Sequence, residues 1–523
     1  MQHSQEEEKQ GEEGGDKAVS RESTSTNVED PNYRTRNVSR GLGSLAIQNV
    51  ITSILAFVFL AVLLRLTSPV DYTAYSSVLV SIGVGVTVST FALQFAAARY
   101  VAMFSEQDEK KGWGVAKSIF VLSLIFSTLA TLIFEVVSPE LSMYFMKSTS
   151  WTFLFSLGGF WLFGYSFSSI LQGIIQGMKK YVLLAKMITT SRIAMLGFAI
   201  GALELYHNVD FAIIAWLVYY LILIVWPLRK IAPHLFQKSK SYYSEVIKYS
   251  TPLAIAAIFG IVSSSGDSII IGGYTSSLGA YNAAIQISTT LSLVLVMPLI
   301  TALLPEAASS SGTEGDVSNV VRLAIRFLIL GLLPASLLMA GLTSQLLSLF
   351  SGGGTYLSAT GALEIITLTY FFFGMQSIVY SLLQATGHSV QALVSGIAAS
   401  LADVGLALLL VPSLGMVGGA TSRALEALIG MSVSIYFVRR YLRNPDSQAF
   451  YLKGIVASVI PFAAVFCLSS YVSSRTITLI PYSVIGIVTF LVCIKTMKLL
   501  SEEDRSFLAH VIPQRLQKFL RYL

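Results

Sequence analysis

The chain has 523 residues, of which 54% are hydrophobic and only 12% are charged, and its mean hydropathy is +0.68. Soluble globular proteins carry about 25% charged residues, so this composition excludes a soluble enzyme and indicates a membrane protein. The net charge of +6 does not indicate a nucleic-acid partner, because Lys and Arg form short clusters between apolar runs. Cys467 and Cys493 lie inside late apolar runs, so the sequence contains neither a disulfide framework nor a cysteine metal motif.

Both ends of the chain are polar. Residues 1–43 are mostly acidic with Gly and Ser, which predicts a disordered cytoplasmic tail. This segment has no apolar stretch of the signal-peptide kind, so the first span is expected to direct insertion. Residues 498–523 mix apolar and basic side chains, which predicts a basic amphipathic tail on the inner leaflet.

Fourteen apolar runs lie between these tails, and a membrane-crossing helix needs about 20 such residues. The runs are 44–64, 74–93, 115–137, 151–171, 182–203, 211–228, 249–272, 279–303, 323–346, 360–385, 388–411, 415–438, 453–473 and 476–497. We therefore predict an all-α polytopic membrane protein. Its parts are an N-terminal six-helix lobe at 44–229, a C-terminal six-helix lobe at 249–438, and helices 13 and 14 at 453–497.

The basic residues predict the orientation of these spans. Lys and Arg cluster before the first span and after the second, fourth, sixth and twelfth spans, whereas the opposite loops hold only Arg65, Lys147 and Arg475. Because positively charged loops stay in the cytoplasm, both termini are predicted to be cytoplasmic, in a multi-pass protein of the plasma membrane.

An internal repeat relates the two lobes. The links after the first and seventh spans end in similar segments around Tyr75 and Tyr281, and Gly177 after span four corresponds to Gly387 after span ten. Their offsets, 206 (281 − 75) and 210 (387 − 177), agree closely. Duplicated halves are typical of secondary transporters.

Motifs for soluble chemistry are absent from the sequence. It has no Walker A loop, GxGxxG, HExxH or GxSxG motif, and its five histidines are never at metal-ligand spacing. We predict no catalytic residue, no bound metal and no cofactor, so transport must use an ion gradient, the membrane potential or the substrate's own gradient. A membrane glycosyltransferase is disfavoured because the outer links after spans seven, nine and eleven carry no charge.

Ionisable residues inside the spans are the candidate functional residues, because a charge in the bilayer core costs about 2.5–3.5 kcal/mol. Charged groups at such depth are expected to face a partner or a wet cavity, which also disfavours a purely structural protein. Alternatives remain for several of them. Arg423 and Glu426 are three residues apart and are able to pair on one helix face, and Arg65 and Arg99 are placed to snorkel at span ends. Asp267 and Asp403 suit hydrogen bonding between helices as well as a cavity or ion site, and Glu364 lies close to a span end, where an interfacial role is expected. The primary candidates are Arg192, Asp267, Asp403 and Arg423, and the secondary candidates are Arg65, Arg99, Glu364 and Glu426.

Several segments resemble one family of transporters. They are 64–69 (LRLTSP) followed by Asp71, Tyr72 and Tyr75, 91–102 (FALQFAAARYVA), Gly266 and Asp267 followed by 272–283 (GGYTSSLGAYNA), and 384–390 (QATGHSV). These segments resemble the polysaccharide-biosynthesis membrane proteins, the oligosaccharide flippases of the multidrug/oligosaccharidyl-lipid/polysaccharide (MOP) exporter superfamily, over about residues 40–500. Thr73 or Ala74 stands where the family has Gly, and basic residues are sparse in the first lobe. Both departures argue against the branch that carries lipid-linked peptidoglycan precursors.

The resemblance implies two six-helix lobes around a central cleft that opens to one side at a time. Its expected substrate is a polyprenyl-phosphate-linked glycan, which is moved from the inner to the outer leaflet. Membrane lipids are the other expected partners. The resemblance leaves the oligomeric state open, and a monomer is consistent with it. Arg192 and Arg423 are then candidates for phosphate or sugar contacts, because a guanidinium presents several donors to an oxyanion. Asp267 and Asp403 are candidates for sugar hydroxyls or for a coupling H⁺ or Na⁺. The competing interpretation is a cation-coupled multidrug or metabolite antiporter of the same superfamily.

Overall fold

The computed structural model describes residues 31–235, 240–297, 299–300, 314–385, 388–439, 446–471 and 476–501. Within these ranges the chain is helical and contains no β-strand. The predicted all-α polytopic architecture is therefore confirmed for the part of the chain that the structure describes.

The N-terminal lobe consists of six long helices and two short ones. The helices are α1 Pro31–Leu66, α2 Pro69–Thr90, α3 Leu93–Ala96, α4 Ala102–Gln107, α5 Glu109–Met146, α6 Thr152–Gly177, α7 Tyr181–Tyr206 and α8 Asp210–Leu235. α6 is the centre of the lobe, since it packs against α2, α5 and α8. α1 packs on α7 at the side of this group.

The first helix corrects one predicted boundary. α1 begins at Pro31 rather than at residue 44, so 31–43, predicted as disordered tail, is helical. Hydropathy detects only the apolar part of this helix, Ile47–Leu66, because the preceding turns carry Arg34, Arg36 and Arg40. Residues 1–30 of the predicted N-terminal tail and 502–523 of the predicted C-terminal tail lie outside the described residues.

The C-terminal lobe follows with α9 Tyr243–Tyr274, α10 Leu278–Leu291, α11 Glu314–Phe327, α12 Leu333–Gly341, α13 Thr343–Ser351, α14 Thr360–Ala385, α15 Ser389–Leu414 and α16 Met416–Val438. α15 packs on α9 and α16, and α14 packs on α10 and α16. The predicted ninth span is not one regular helix. A π-helical turn, Leu328–Leu332, joins α11 to α12, and the chain breaks at Leu342 before α13.

The last two helices are α17 Gln448–Tyr471 and α18 Leu479–Met497. They pack on each other, and α17 packs on α12. Their other surfaces expose large apolar side chains, for example Ile455, Phe466, Ile480 and Val488. Such apolar exposure is costly in water and is expected where a helix faces lipid.

Thirteen helices of the described chain are long and apolar enough to cross a membrane. The predicted twelfth span, 415–438, is not among the thirteen but forms α16, a helix of 23 residues. α16 contains Arg423 and Glu426. Such charged residues lower the mean hydropathy of a helix, but partners inside a helix bundle compensate their charges. The chain is a multi-pass membrane protein.

The two lobes meet at the end of the molecule that the charge pattern predicts to be outer. α2 packs against α9 and α10, and α1 packs against α13. Among the described residues, Tyr72, Tyr281 and Tyr356 are the largest side chains that are fully buried, and the Tyr72 and Tyr356 rings meet edge to face across the lobes at 5.8 Å. Ser68 caps α2 together with Asp71 in a reciprocal capping box, which holds this junction in place.

Candidate functional site: two cavities and a buried charge cluster

A cavity of about 670 Å³ lies in the N-terminal lobe. Its wall combines aromatic rings with hydroxyl and amide side chains from α1, α2, α6, α7 and α8, and α9 closes one side through Ile261. The polar and aromatic lining residues are Gln48, Thr52, Ser53, Thr87, Trp161, Tyr165, Ser168, Ser169, Gln172, Arg192, Trp216, Tyr219 and Tyr220.

Arg192 is the charged residue of this lining. Its guanidinium carbon lies 4.6 Å from the centre of the Trp216 ring and 5.7 Å from that of Tyr219, a geometry that attracts a cation to the negative face of the ring. Its Nη1 donates to the Met195 sulfur at 3.5 Å, a weak acceptor. Among the described residues no carboxylate pairs with Arg192, and the residue lines the cavity.

Trp216 is held in place by its own neighbours. Its ring stacks on Trp161 at 4.9 Å, and Trp161 stacks on Tyr75 at 6.0 Å. The Trp216 Nε1 also donates to the Tyr75 hydroxyl at 2.9 Å. The aromatic column therefore positions Arg192 and runs from the cavity to the junction of the lobes, where Tyr75 stacks on Tyr72.

The C-terminal lobe contains a second charged site. Asp267 of α9 is fully buried and accepts two hydrogen bonds from Arg423 of α16, Nε to Oδ2 and Nη2 to Oδ1, both at 2.8 Å. Tyr281 of α10 donates its hydroxyl to Oδ2, and the Ser268 backbone N–H donates to Oδ1 at 2.6 Å. Arg423 Nη2 also donates to the Ser264 carbonyl at 3.0 Å. Three helices converge here, and the Asp267 charge is fully compensated.

Two more carboxyl groups lie beside this pair. Asp403 of α15 is fully buried, and its Oδ2 accepts the Asp267 backbone N–H at 3.3 Å. Its Oδ1 has no hydrogen-bond partner among the described residues. Glu426, one turn after Arg423, is also buried and within electrostatic reach of Asp403. A cavity of about 450 Å³ borders Arg423 and Glu426.

Of the secondary candidates, Glu426 borders the second cavity, whereas Arg65, Arg99 and Glu364 lie apart from both cavities. Arg65, at the end of α1, donates to the Leu349 carbonyl at 2.6 Å and to that of Phe350 at 3.4 Å, both in the other lobe. The guanidinium of Arg99 lies 4.8 Å from the Tyr249 ring centre, at the start of α9. Glu364 is half-buried and accepts from the Thr343 hydroxyl at 3.3 Å. Arg65 thus bridges the lobes, a contact that its predicted role as an anchor did not include.

Sequence reasoning named the charged groups and missed their uncharged partners. The aromatic column was overlooked, because aromatic residues make up 11% of the chain and none of them stands out by spacing. Tyr281 was noticed only as a repeat marker, although its buried hydroxyl binds Asp267. Lys147 was noted as an outer basic residue, and its Nζ donates to the Gly273 carbonyl of α9 at 2.8 Å.

Comparison with known proteins places the chain in a family. Residues 38–311 match the family model described as polysaccharide biosynthesis protein, which is more than half of the chain. A comparison with curated proteins finds no match.

Solved structures share the fold. "Lipid II flippase MurJ, inward closed conformation" has a TM-score of 0.71 at 14% identity, covering 86% of this chain and 97% of that chain. An inward-facing multidrug resistance MATE family transporter of the MOP superfamily has a TM-score of 0.58 at 13% identity, covering 82% and 99%. The MATE transporter VcmN of Vibrio cholerae has a TM-score of 0.54 at 14% identity, covering 78% and 99%.

These likenesses confirm the fold that the resemblance implied. The chain belongs to the polysaccharide biosynthesis protein family.

Proposed function

We propose that this transporter moves a lipid-linked glycan, carried on a polyprenyl phosphate, from the inner to the outer leaflet by alternating access. One observation carries the proposal: Arg192 stands in a polar cavity without a carboxylate partner among the described residues. A partly buried cation lacking an anion is costly, and it becomes favourable when a substrate supplies the anion. A lipid phosphate does so.

The rest of the cavity supports the same substrate. Hydroxyl and amide groups such as Ser168, Ser169 and Gln172 line it beside Arg192, and these groups exchange hydrogen bonds with sugar hydroxyls. The lipid chain does not have to enter this cavity, because it can stay in the bilayer, next to the apolar outer surfaces of the helices. Both termini then lie in the cytoplasm and the protein resides in the plasma membrane, as the distribution of basic loops predicts.

Deletion of the gene tests the proposal. The expected result is accumulation of lipid-linked oligosaccharide in the inner leaflet and loss of surface glycan, restored by the wild-type chain but not by Arg192→Ala. Lys186→Gln is the matched control, since it removes a cation from the exposed face of the same helix. Unchanged glycans in the deletion strain would refute the proposal.

A cation-coupled antiporter is the second candidate, and the cluster in the C-terminal lobe favours it. Asp403 is fully buried, and its Oδ1 has no hydrogen-bond partner among the described residues. In a flippase the same carboxyl group serves as a site for a coupling H⁺ or Na⁺. The variant Asp403→Asn separates the antiporter from the ion-coupled flippase. Loss of drug efflux with intact glycan export supports the antiporter. Loss of ion-dependent glycan export supports a flippase that is coupled to an ion gradient.

A further inference from the structure

The cavity of the N-terminal lobe has the charge of one cation. Of the described residues that line it, Arg192 is basic and none is acidic. Because an ion removed from water is stabilised mainly by a close opposite charge, the best-matched ligand group carries one negative charge. A second negative charge in the same space has no counter-ion among the lining residues.

The orientation of Arg192 points the same way. The guanidinium lies over Trp216 and beside Tyr219, and its N–H donors point outwards in its own plane, at its edges. A guanidinium edge binds two oxygens of one phosphate through two parallel hydrogen bonds. One phosphate therefore occupies the pair of N–H donors at an edge of the Arg192 guanidinium.

Among the described residues, the charge cluster of the other lobe does not supply a second free cation. Asp267 already binds Arg423 through two hydrogen bonds of 2.8 Å, and the buried carboxyl group of Asp403 lies beside this pair. A second phosphate that extended towards α9 and the C-terminal lobe would approach this carboxyl group.

We propose that the cavity selects a glycan joined to its lipid through a single phosphate, a phosphodiester with one negative charge, over a glycan joined through a diphosphate. This inference rests on the proposed function and narrows its substrate class. Gln172 is an uncharged residue of the same cavity lining. A substitution at this position therefore changes the number of charged side chains that line the cavity.

Binding to the purified full-length protein tests the selection. The probes are citronellyl-phosphoryl-glucose and citronellyl-diphosphoryl-glucose, and intrinsic tryptophan fluorescence reports binding because Trp161 and Trp216 line the cavity. The monophosphate probe is expected to bind at least about tenfold more tightly, the effect of one unpaired charge at partial burial. Arg192→Gln removes this preference, and the matched control Lys186→Gln keeps it.

A gain of charge gives the sharper test. Gln172→Lys, or Gln48→Lys if the first variant does not fold, adds a second cation to the lining and is expected to shift the preference at least about tenfold towards the diphosphate. Equal or tighter binding of the diphosphate by the wild-type protein overturns the inference, as does failure of both probes to bind. The proposed function is judged separately by glycan export in the deletion strain, so it survives either result.

Discussion

The Asp267 carboxylate and the Arg423 guanidinium are joined by two hydrogen bonds of 2.8 Å, although the residues are 156 positions apart. The pair links α9 to α16, and the Tyr281 hydroxyl ties α10 to the same carboxylate. Asp267 is fully buried, while the Arg423 side chain is 18% exposed towards the adjoining cavity. The pair thus has two roles, holding three helices together and setting the charge of a cavity wall.

Removal of Arg423 is expected to destabilise the protein strongly. Arg423→Ala leaves the Asp267 carboxylate buried without its partner, and breaking a buried ion pair in this way costs about 3–5 kcal/mol. Unfolding in a detergent titration measures the loss. Arg192→Ala is the matched control, with an expected loss below about 1 kcal/mol, because Arg192 has no carboxylate partner among the described residues. Similar stability of Arg423→Ala and the wild type would contradict the structural role.

The junction of the lobes depends on two cations that bind backbone carbonyls near the ends of helices. Arg65 binds the Leu349 and Phe350 carbonyls of α13, and Lys147 binds the Gly273 carbonyl of α9. Cations at such positions are favoured by the helix dipole. These contacts close the predicted outer end, so their loss favours opening there.

The variant Arg65→Ala/Lys147→Ala tests this closure. Hydrogen bonds from charged groups contribute about 1.5–3 kcal/mol when they are shielded from water. Because Arg65 and Lys147 are exposed, the double variant is expected to lose about 1 kcal/mol in total. The population that is open at this end then rises roughly fivefold. Maleimide labelling of a cysteine at Ser76, which is fully buried, measures the opening in a background without Cys467 and Cys493. Lys180→Ala, at an exposed position elsewhere, is the control. Labelling that does not rise would exclude a gating role.

Trp216 is expected to affect transport through Arg192. Trp216→Leu removes the ring that lies 4.6 Å from the guanidinium carbon, and a cation–π contact of this kind contributes about 0.5–2 kcal/mol. Glycan export is therefore expected to fall by about twofold to thirtyfold. Trp226→Leu, on the same helix but away from the cavity lining, controls for the loss of an indole. Equal effects of the two variants would argue against this positioning role.

Gly177, at the end of α6, is expected to tolerate no side chain. A Cβ there would meet the Ala97 carbonyl oxygen and the Val101 Cβ, both at 2.8 Å, so Gly177→Ala forces the backbone apart at a cost of about 1–3 kcal/mol. Thermal unfolding in detergent measures this change. Gly201→Ala is the opposite control, because nothing lies within 4 Å of its Cβ, and it is expected to stabilise α7 by about 0.5–1 kcal/mol. Equal effects would contradict the packing.

Much of the candidate site was predictable because charge inside an apolar span is conspicuous. Arg192, Asp267, Asp403 and Arg423 were each identified by depth alone, and the structure places Arg192 in one cavity and the other three in one cluster. The pairing was not predictable. Arg423 and Glu426 share a helix face, yet the guanidinium binds Asp267, a contact between distant segments that hydropathy does not encode.

The sequence by itself determined that this protein crosses the membrane many times and that a few charges remain inside its spans. Those properties follow from local composition, because an apolar run in a bilayer has to become a helix. Only the tertiary structure decided which charges are neutralised. Among the described residues, Arg423 is paired with a carboxylate and Arg192 is not, because pairing depends on how helices far apart in the chain pack together.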